Sequence, residues 1–406
     1  MQKIHKNLCI AIVESLEEIF NEGKYADKVI EHTLKSNPKW GARDRGFIAE
    51  NTYEIVRWWR RLLFLCDEKY ADKAIYHTTT FWKALGTWLV LQKTTLPLWE
   101  EFEKVNEKKI KENSQKEMPR KIRESIPDWL DALGEAELGK EIWEKELKAS
   151  NTTAQVVLRT NTLKTNKQDL KTLLEQTGIL AQNSPLAENA LILKERQNIF
   201  KTTLFKEGLF EIQDLGSQKI AEMLPLESNN LRVIDACAGA GGKTLHISSL
   251  MQNKGKIIAL DTELWKLEEL KKRSRRAGSN NIETRLIESS KTIKRLENSA
   301  DRLLLDVPCS GLGVLKRNPD AKWKLSKDFI VNVQKTQQDI LENYSKMLKK
   351  GGFMVYATCS LLPSENEKQV QDFLQKHPEF NLHSQQHLRP SEYGFDGFYM
   401  ALLEKK

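Results

Sequence analysis

The sequence contains little cysteine for its 406 residues, and the five cysteines that it has are far apart. Because they form no C-x-x-C pair, neither a disulfide framework nor a structural zinc site is expected, and we predict no metal. Long apolar runs are also missing, since none approaches the roughly 20 residues that a membrane span requires. The apolar stretch near the start is interrupted by Glu14, which favours an amphipathic first helix over a signal peptide. These absences predict a cytoplasmic protein without a membrane partner.

What the sequence does contain is an excess of positive charge, with a formal net charge of +8. This excess favours an anionic partner, nucleic acid first, although mildly basic surfaces are also common in proteins that bind no nucleic acid. With 40% apolar and 30% charged residues, the composition is that of a folded globular protein. Its length allows two or three domains.

Changes in the apolar pattern divide the chain into three predicted regions. Helical spacing with little glycine predicts an all-helical domain over residues 1–125, which ends in an almost purely charged linker from about residue 103. Mixed patterns predict a small α+β subdomain over 126–228, with strands in AQVVLRTNTL and NALIL. Over 229–406, apolar strands alternate with helices, which predicts an α/β domain with a mostly parallel, doubly wound sheet.

The glycine-rich loop IDACAGAGGKT ends a predicted strand and begins a predicted helix, a place where backbone N–H groups bind nucleotide ligands. Its last residues suggest a Walker A motif and hence an ATPase. That motif requires glycine at position 237, where this chain has Cys237. Asp261 ends the next predicted strand, which is the position of a carboxylate that binds ribose hydroxyls. The pattern therefore indicates a nucleoside site, and an NAD site would look similar.

Two further motifs place a cysteine at the end of an apolar strand. LLLDVPCSG contains Asp306, Pro308 and Cys309, and VYATCSLLPSENE contains Cys359. Strands of a doubly wound sheet bind ligands at their carboxyl ends, so two thiols that are distant in sequence can act on one substrate. Free cysteine is also a small buried hydrophobe, and two core thiols are the alternative interpretation.

Taken together, these three motifs resemble those of the RNA (cytosine-5)-methyltransferase family, whose members use S-adenosylmethionine. The segments VVLRTNTLK, GLFEIQDLGSQKIAEML, GGFMVYATCS and GFDGFYMALLEKK also resemble family signatures and occur in the family order. The N-terminal region resembles the NusB-type RNA-binding domain that precedes the catalytic unit in the bacterial 16S ribosomal RNA enzymes. The resemblance implies a Rossmann-like class I methyltransferase domain over 229–406, after a NusB-like domain and a small RNA-binding subdomain.

The resemblance also implies unequal roles for the two thiols. Cytosine C5 is a poor nucleophile, and covalent attack by a thiolate at C6 enables C5 to accept a methyl group. In this family the attacking cysteine is that of the T-C-S motif, which here is Cys359, whereas Cys309 assists loss of the C5 proton and release of the product. Asp306 would bind the N3 and N4 edge of the cytosine and border the cofactor.

Carried over in the same way, S-adenosylmethionine would contact the glycine-rich loop, and Asp261 would bind its ribose. The family commonly has A-A-P-G-G-K-T in this loop, so the missing proline makes the loop of this chain more flexible. The family's aspartate near the adenine is also missing, and Glu288 is the predicted substitute. The predicted cofactor-binding residues are Cys237, Ala238, Gly239, Ala240, Gly241, Gly242, Lys243, Asp261, Glu288 and Asp306.

Basic residues in two stretches of the sequence are predicted to contact RNA phosphates. In the N-terminal stretch they accompany Trp58 and Trp59, which at this spacing are core residues more often than RNA platforms. In the second stretch the alternative is a solvated basic loop. RNA is the predicted partner, ribosomal RNA before tRNA, and we expect a monomer. The predicted RNA-binding residues are Lys316, Arg317, Lys322, Arg57, Arg60 and Arg61.

Two other functions are compatible with parts of the sequence. An RNA-binding assembly or antitermination-like module with a vestigial methyltransferase domain would retain the fold, but it would have no use for Asp306, Cys309 and Cys359 together. An ATPase is a remote third possibility, and retention of labelled S-adenosylmethionine or of ATP separates the two enzymes. The combined motifs favour an S-adenosylmethionine-dependent ribosomal RNA cytosine-5 methyltransferase.

Overall fold

The computed structural model describes residues 4–184, 186–228 and 230–406. None of the helices in this described part of the chain is long and apolar enough to cross a membrane. The chain forms two compact units. The first contains the chain up to Thr152 together with Val314–Lys327, and the second contains Thr153–Gly313 and Asp328–Lys406. A short segment that follows the P-C-S motif therefore belongs to the N-terminal unit.

The first unit is helical, as the spacing of its apolar residues predicts. Its core surrounds Trp59, which is fully buried and stacks on Phe20 and Phe81 with ring centroids 4.2 and 5.3 Å apart. Trp59 is thus a core residue and not an RNA platform. The helices of its N-terminal part are α1 (Lys6–Phe20), α2 (Ala26–Ser36), α3 (Ala42–Leu65), α4 (Thr78–Leu91), α5 (Glu107–Ser114), α6 (Arg120–Arg123), α7 (Asp128–Leu138) and α8 (Lys140–Ser150).

The charged stretch that begins near residue 103 is folded and does not form the predicted linker. Asn113 of α5 donates a hydrogen bond to the Leu65 carbonyl oxygen at 3.1 Å, which attaches this stretch to α3. The unit also extends beyond the predicted boundary at residue 125, since Arg60 donates to the Ile126 carbonyl oxygen at 2.7 Å. Charge along the sequence predicted a solvated linker, but a few buried contacts are enough to fold it onto the helices.

The second unit begins with a small antiparallel sheet. Its strand order is β2-β3-β1-β4, and Leu158 in the middle of β1 pairs with Leu191 of β3 and Ile212 of β4. The strands predicted in AQVVLRTNTL and NALIL are both present. The elements are β1 (Val157–Thr160), α9 (Lys167–Gln176), β2 (Ala181–Asn183), β3 (Ala190–Leu193), α10 (Thr203–Lys206), β4 (Phe210–Ile212) and α11 (Leu215–Glu222).

A seven-stranded sheet follows, with the strand order β10-β11-β9-β8-β5-β6-β7. The pairs among β5 to β9 are parallel, and β11 runs opposite to its neighbours β9 and β10. The elements are β5 (Arg232–Asp235), α12 (Gly242–Leu250), β6 (Lys256–Asp261), α13 (Leu264–Ala277), β7 (Ile282–Leu286), α14 (Ser290–Lys294), β8 (Ala300–Asp306), α15 (Ala321–Lys324), α16 (Lys327–Tyr344), β9 (Leu348–Thr358), α17 (Glu367–Lys376), β10 (Phe380–Leu388), α18 (Pro390–Tyr393) and β11 (Phe398–Lys405).

The middle of each central strand is apolar at consecutive positions, as at Leu303, Leu304 and Leu305 of β8, because both faces of the sheet are covered. Ile234 of β5, Leu303 and Leu305 of β8 and Tyr356 of β9 are all fully buried in one core. This arrangement confirms the predicted mostly parallel, doubly wound sheet. The helix α15 belongs to the first unit, although it lies between β8 and β9 in sequence.

Candidate active site

The carboxyl ends of four central strands lie along one edge of the seven-stranded sheet. The strand order reverses here, because β6 pairs with β5 on one side and β8 pairs with β5 on the other. Such a reversal opens a crevice in which ligands bind. Four predicted site residues are at this edge, since Cys237 follows β5, Asp261 ends β6, Asp306 ends β8 and Cys359 follows β9.

The glycine loop between β5 and α12 needs glycine at two positions. The backbone φ angles of Gly239 and Gly241 are 53° and 88°, in the left-handed region that side chains disfavour. A Cβ atom at Gly241 would lie 2.5 Å from the Leu270 Cγ, so the packing against α13 excludes any larger residue. Among the described residues, nothing lies within 4 Å of the corresponding position at Gly239, which leaves this part of the loop open to a ligand.

The other residues of the loop connect it to the rest of the unit through their backbones. The Ala238 N–H donates to the Leu260 carbonyl oxygen at 2.8 Å. The carbonyl oxygen of Ala240 accepts a hydrogen bond from Arg273 at 2.8 Å, and that of Gly242 accepts one from Arg159 at 2.6 Å. These bonds give a loop without proline a defined shape.

Asp261 joins the second strand of the crevice to this loop. Its Oδ2 accepts a hydrogen bond from the Gly239 N–H at 2.9 Å, and its Oδ1 accepts one from the Glu263 N–H at 2.9 Å. A carboxylate has about four lone-pair sites, so both oxygens can accept further bonds from ribose hydroxyls. The predicted ribose contact therefore fits the geometry.

A cleft of about 510 Å³ opens beside the loop and extends to Asp306. Ile287 borders it after β7, whereas the next residue, Glu288, is exposed and does not line it. That Glu288 replaces the family's aspartate stays a prediction. The cleft is lined by Ala236, Cys237, Gly239, Asp261, Thr262, Lys266, Ile287, Asp306, Val307, Pro308, Thr336, Asp339, Ile340, Asn343 and Tyr344.

One side of the cleft is a face of α16 that the sequence analysis missed. Its residues Thr336, Asp339, Ile340, Asn343 and Tyr344 recur at intervals of three and four, the spacing of a single helix face. Polar residues at this spacing within an amphipathic helix were the available signal. They provide hydroxyl, carboxylate and amide groups on the side opposite the glycine loop.

The residues of the cleft fit S-adenosylmethionine. The volume lies within the range of roughly 300–1,000 Å³ that is usual for sites of cofactors and other small molecules. The open position at Gly239 allows close approach to the backbone, and Asp261 supplies a carboxylate for hydroxyl groups. Bound there, this cofactor would supply an electrophilic methyl group. Within the described residues, no group of three or more His, Cys, Asp or Glu side chains could bind a metal ion.

The two thiols of the cysteine motifs meet at the same edge of the sheet. The Sγ atoms of Cys309 and Cys359 are 3.3 Å apart. Parallel pairing of β8 with β9 sets Asp306 opposite Ala357, so the turns that follow both strands lie side by side. The Gly313 N–H donates to the Cys359 carbonyl oxygen at 2.8 Å and joins the two turns.

The charges around the two thiols differ. The hydrogen bond to Cys359 and burial raise the pKa of the Cys309 thiol well above its ordinary value, and the Glu365 carboxyl adds to this effect. Lys243 is partly buried near Cys359, and its Nζ donates to Asp306 Oδ2 at 2.6 Å. Burial alone would lower the pKa of Lys243, but Asp306 and Cys359 outweigh it and raise this pKa. A cation therefore lies beside Cys359 and an acidic group beside Cys309.

A buried acid that the sequence analysis did not single out lies at the end of β5. Burial raises the pKa of Asp235 to about 7, although the Thr244 hydroxyl donates a hydrogen bond to its Oδ2 at 2.7 Å. Asp235 therefore changes its protonation state near neutral pH, next to the Lys243 and Asp306 pair.

The basic residues predicted to contact RNA are mostly buried within the first unit. Arg57 donates to the carbonyl oxygens of Leu315 and Lys316 at 3.3 and 3.0 Å, and Lys322 donates to the Arg57 carbonyl oxygen at 2.8 Å. Burial lowers the pKa of Lys322 well below its ordinary value. Arg60 is also buried, and its guanidinium donates to the Ile126 carbonyl oxygen.

This corrects the RNA-contact prediction for Arg57, Arg60 and Lys322, because a buried donor that already binds a carbonyl oxygen is unavailable to a phosphate. The Lys316 side chain is also buried. Arg61 and Arg317 are partly exposed, and for them an RNA contact stays a prediction. The pattern of basic residues in the sequence does not distinguish a buried arginine from a phosphate-binding one.

The strand order, the antiparallel strand β11 and the loop-and-acid crevice define a class I S-adenosylmethionine-dependent methyltransferase. Residues 221–404 match the family described as 16S rRNA methyltransferase RsmB/F, and residues 126–200 match the ferredoxin-like domain of RsmF/B-like methyltransferases. The chain belongs to the RsmB/F family of S-adenosylmethionine-dependent RNA methyltransferases. This confirms the predicted family and cofactor, whereas the NusB-type nature of the first unit stays a prediction.

Relatives and solved structures agree with this assignment. The chain is 33% identical over 300 residues to a probable ribosomal RNA small subunit methyltransferase B of Bacillus subtilis, which covers 70% of this chain and 67% of the relative. It is 29% identical to a probable protein of the same name from Synechocystis, over 96% of this chain and 97% of the relative. A methyltransferase homolog protein from Pyrococcus horikoshii has a TM-score of 0.63 and 28% identity, over 71% of this chain and 98% of that one.

Proposed function

We propose that the protein transfers a methyl group from S-adenosylmethionine to C5 of a cytosine in 16S ribosomal RNA, through a covalent bond between Cys359 and C6 of the base. The observation that carries the proposal is the pair of thiols 3.3 Å apart at the carboxyl edge of the sheet. Asp306 belongs to the same edge and also borders the cofactor cleft. A base bound over this pair would have its reacting edge next to the methyl donor.

The electrostatic surroundings support Cys359 as the attacking thiol. Two adjacent thiols do not both ionise readily, because the second thiolate would lie beside the first. The hydrogen bond to Cys359 and burial raise the pKa of the Cys309 thiol, which disfavours Cys309 as the attacking thiolate. The Lys243 ammonium lies near Cys359 and donates to Asp306 Oδ2 at 2.6 Å, so a cation borders the attacking sulfur.

The reaction then proceeds with two covalent changes at the base. The Cys359 thiolate forms a bond to C6, and the electron pair of the C5–C6 double bond moves toward C5. C5 then forms a bond to the methyl carbon of S-adenosylmethionine, whose S–CH3 bond would break to leave S-adenosylhomocysteine. Loss of the C5 proton restores the double bond as the sulfur–C6 bond breaks. For Cys309 to act as the base, its own proton must first pass to water, and its thiolate then takes the C5 proton. The Cys309 sulfur lies 3.3 Å from that of Cys359, next to the base that Cys359 would hold.

The proposed substrate rests on the relatives. Proteins named ribosomal RNA small subunit methyltransferase B, or probable forms of it, match this chain at 31–35% identity in seven bacteria and at 29% in an eighth. A vestigial methyltransferase domain is not favoured, because the thiol pair, Asp306 and the open cleft are all intact.

A denaturing gel with labelled RNA and S-adenosylmethionine tests the covalent step. We expect Cys309→Ala to accumulate a protein–RNA conjugate that survives denaturation, because attack and methyl transfer proceed while resolution is impaired. Cys359→Ala and the double variant should form none, because the attack itself is lost. Cys66→Ala, which removes a thiol of the first unit, serves as the control and should behave like the wild type.

The opposite pattern, with a conjugate in Cys359→Ala alone, would exchange the two roles. If no variant forms a conjugate while the wild type methylates RNA, the covalent mechanism is wrong. Bisulfite sequencing of total RNA from a deletion strain then identifies the target, and loss of a 5-methylcytosine outside 16S RNA would contradict the proposed substrate.

A further inference from the structure

Glu365 is a buried acid that lies behind the thiol pair without lining the cofactor cleft. It ends the short 3-10 helix Pro363–Glu365 between β9 and α17 and is fully buried. An acid in such a place needs several hydrogen-bond donors to offset the loss of water. Two of its donors come from the two cysteine motifs, and a third comes from α16.

Each carboxylate oxygen of Glu365 contacts a different cysteine motif. Its Oε2 accepts a hydrogen bond from the backbone N–H of Ser310, the residue after Cys309, at 2.7 Å. Its Oε1 accepts one from the hydroxyl of Ser360, the residue after Cys359, at 2.6 Å. The two serine hydroxyl oxygens are 3.0 Å apart, so a hydrogen-bond network connects the residues that follow the two cysteines.

Gln337 of α16 extends this network to the residue before Cys309. Its Nε2 donates to Glu365 Oε2 at 3.1 Å and to the Pro308 carbonyl oxygen at 2.9 Å. The turn around Cys309 is thus attached to the carboxylate directly and through Gln337. Burial raises the pKa of Glu365 above its ordinary value, while the donors Ser310, Ser360 and Gln337 favour its charged form.

We propose that Glu365 is a positioning residue for the reaction, because its one carboxylate joins the turns that carry the two thiols and so sets the distance between their sulfur atoms. This inference rests on the proposed function, in which one base must meet both thiols. The alternative is that Glu365 stabilises the fold and has no particular effect on the thiols. The two roles differ in a quantity that can be measured without RNA or cofactor, namely how readily the thiols form a disulfide.

Oxidation by diamide reports on the distance between the two sulfur atoms. The two thiols lose two protons and two electrons, an S–S bond forms, and diamide is reduced to the corresponding hydrazine. Mass spectrometry of the disulfide-linked peptide pair that contains Cys309 and Cys359 measures the rate of disulfide formation. It also distinguishes this disulfide from those of other cysteines. We expect Glu365→Ala to slow this reaction about tenfold or more, since a displacement of about 1 Å is enough to cost a hundredfold in reactions that depend on alignment.

Glu365→Gln should recover part of the rate, because the amide has the same length and one oxygen that can accept the Ser310 N–H. Asp301→Asn is the matched control. Asp301 lies at the opposite end of β8 and also accepts a backbone N–H, from Arg232 at 2.8 Å, and a side-chain donor, Lys349 at 2.6 Å. In Asp301→Asn, diamide should oxidise the two thiols at the wild-type rate.

Methyl transfer by the same full-length variants gives the second readout. Glu365→Ala should lower kcat about tenfold or more, while KM for S-adenosylmethionine stays within about twofold, since Glu365 does not line the cleft. A wild-type oxidation rate in Glu365→Ala would overturn the inference, and so would a slowed oxidation with unchanged kcat. If the wild type itself methylates no RNA, the proposed function fails, and the oxidation rates still decide whether Glu365 positions the thiols.

If Glu365→Ala does not fold, Ser360→Ala takes its place. This variant removes the hydroxyl that joins the Cys359 turn to the carboxylate and leaves the bond from the Ser310 N–H intact. A severalfold slower oxidation at an unchanged melting temperature supports the inference, and a wild-type rate overturns it.

Discussion

Replacing Arg57 with Met should destabilise the first unit and should not act directly on RNA binding. Arg57 is only 3% exposed. Its guanidinium donates to three carbonyl oxygens, those of Ser150, Leu315 and Lys316. Two of these belong to Val314–Lys327, the segment that follows the P-C-S motif and folds with the helical unit. The Met side chain fills similar space but leaves the three acceptors without their donor.

The expected loss of stability follows from these contacts. A hydrogen bond to a charged group contributes about 1.5–3 kcal/mol, and the three share one guanidinium, so their effects do not add fully. Arg57 also pairs with Glu54, with its Nε 3.1 Å from Glu54 Oε1, and removal of one partner of a largely buried ion pair typically costs about 3–5 kcal/mol. We expect a decrease of that size in the free energy of unfolding of the first unit.

Urea unfolding followed by circular dichroism measures this change, and limited trypsin digestion measures the local effect. The segment contains Lys316, Arg317, Lys322 and Lys324. In the wild type Lys316 and Lys322 are buried, and Lys324 donates to Asp320 Oδ2 at 2.8 Å. In Arg57→Met, cleavage after these residues should become faster than in the wild type. Arg61→Met is the matched control on the same helix. The Arg61 guanidinium lies over the Trp58 ring at 5.3 Å, so this substitution should lower the free energy of unfolding by less than about 1 kcal/mol.

A salt titration of RNA binding then separates the two interpretations of Arg57. If Arg57→Met leaves the free energy of unfolding unchanged and lowers the slope of log K against log salt by about one, Arg57 contacts a phosphate and the structural role is refuted. We expect the slope to stay the same in Arg57→Met. A reduced slope in Arg61→Met would show that the neighbouring arginine contacts RNA.

Three further variants test the crevice. Asp261→Ala should weaken S-adenosylmethionine binding about ten- to a hundredfold, through the loss of a charge-assisted bond of about 1.5–3 kcal/mol, and calorimetry giving the wild-type affinity would contradict the ribose contact. The same measurement on Glu288→Ala tests the predicted adenine contact, which an unchanged affinity would refute. Asp235→Asn should gain stability relative to the wild type as the pH rises. With its folded pKa raised to about 7, Asp235 binds a proton more tightly in the folded state, so the wild type loses stability between about pH 4 and pH 7. The variant lacks this loss, and a difference in the free energy of unfolding that is the same at about pH 5 and pH 8 would refute the assignment.

The features that depend on local pattern can be predicted from the amino-acid sequence. The alternation of apolar strands and helices after residue 229 predicted the parallel sheet, since strands covered on both faces need apolar residues at every position. Glycine at positions 239 and 241 indicated the ligand loop, because the left-handed backbone there tolerates little else. The motifs around Asp306, Cys309 and Cys359 predicted the edge of the sheet at which they lie, because each follows a strand.

Which distant residues meet and which charges are buried can be seen only in the folded chain. Arginine and lysine look the same in sequence whether they bind phosphate or a buried carbonyl oxygen, so only the folded chain shows that Arg57 and Lys322 attach a segment that follows β8 to the helices of the first unit. The contribution of α16 to the cleft and the joining of two cysteine turns by Glu365 depend on contacts between elements far apart in the chain. Such contacts leave no local pattern, because they arise from strand order and packing and not from the preferences of neighbouring residues.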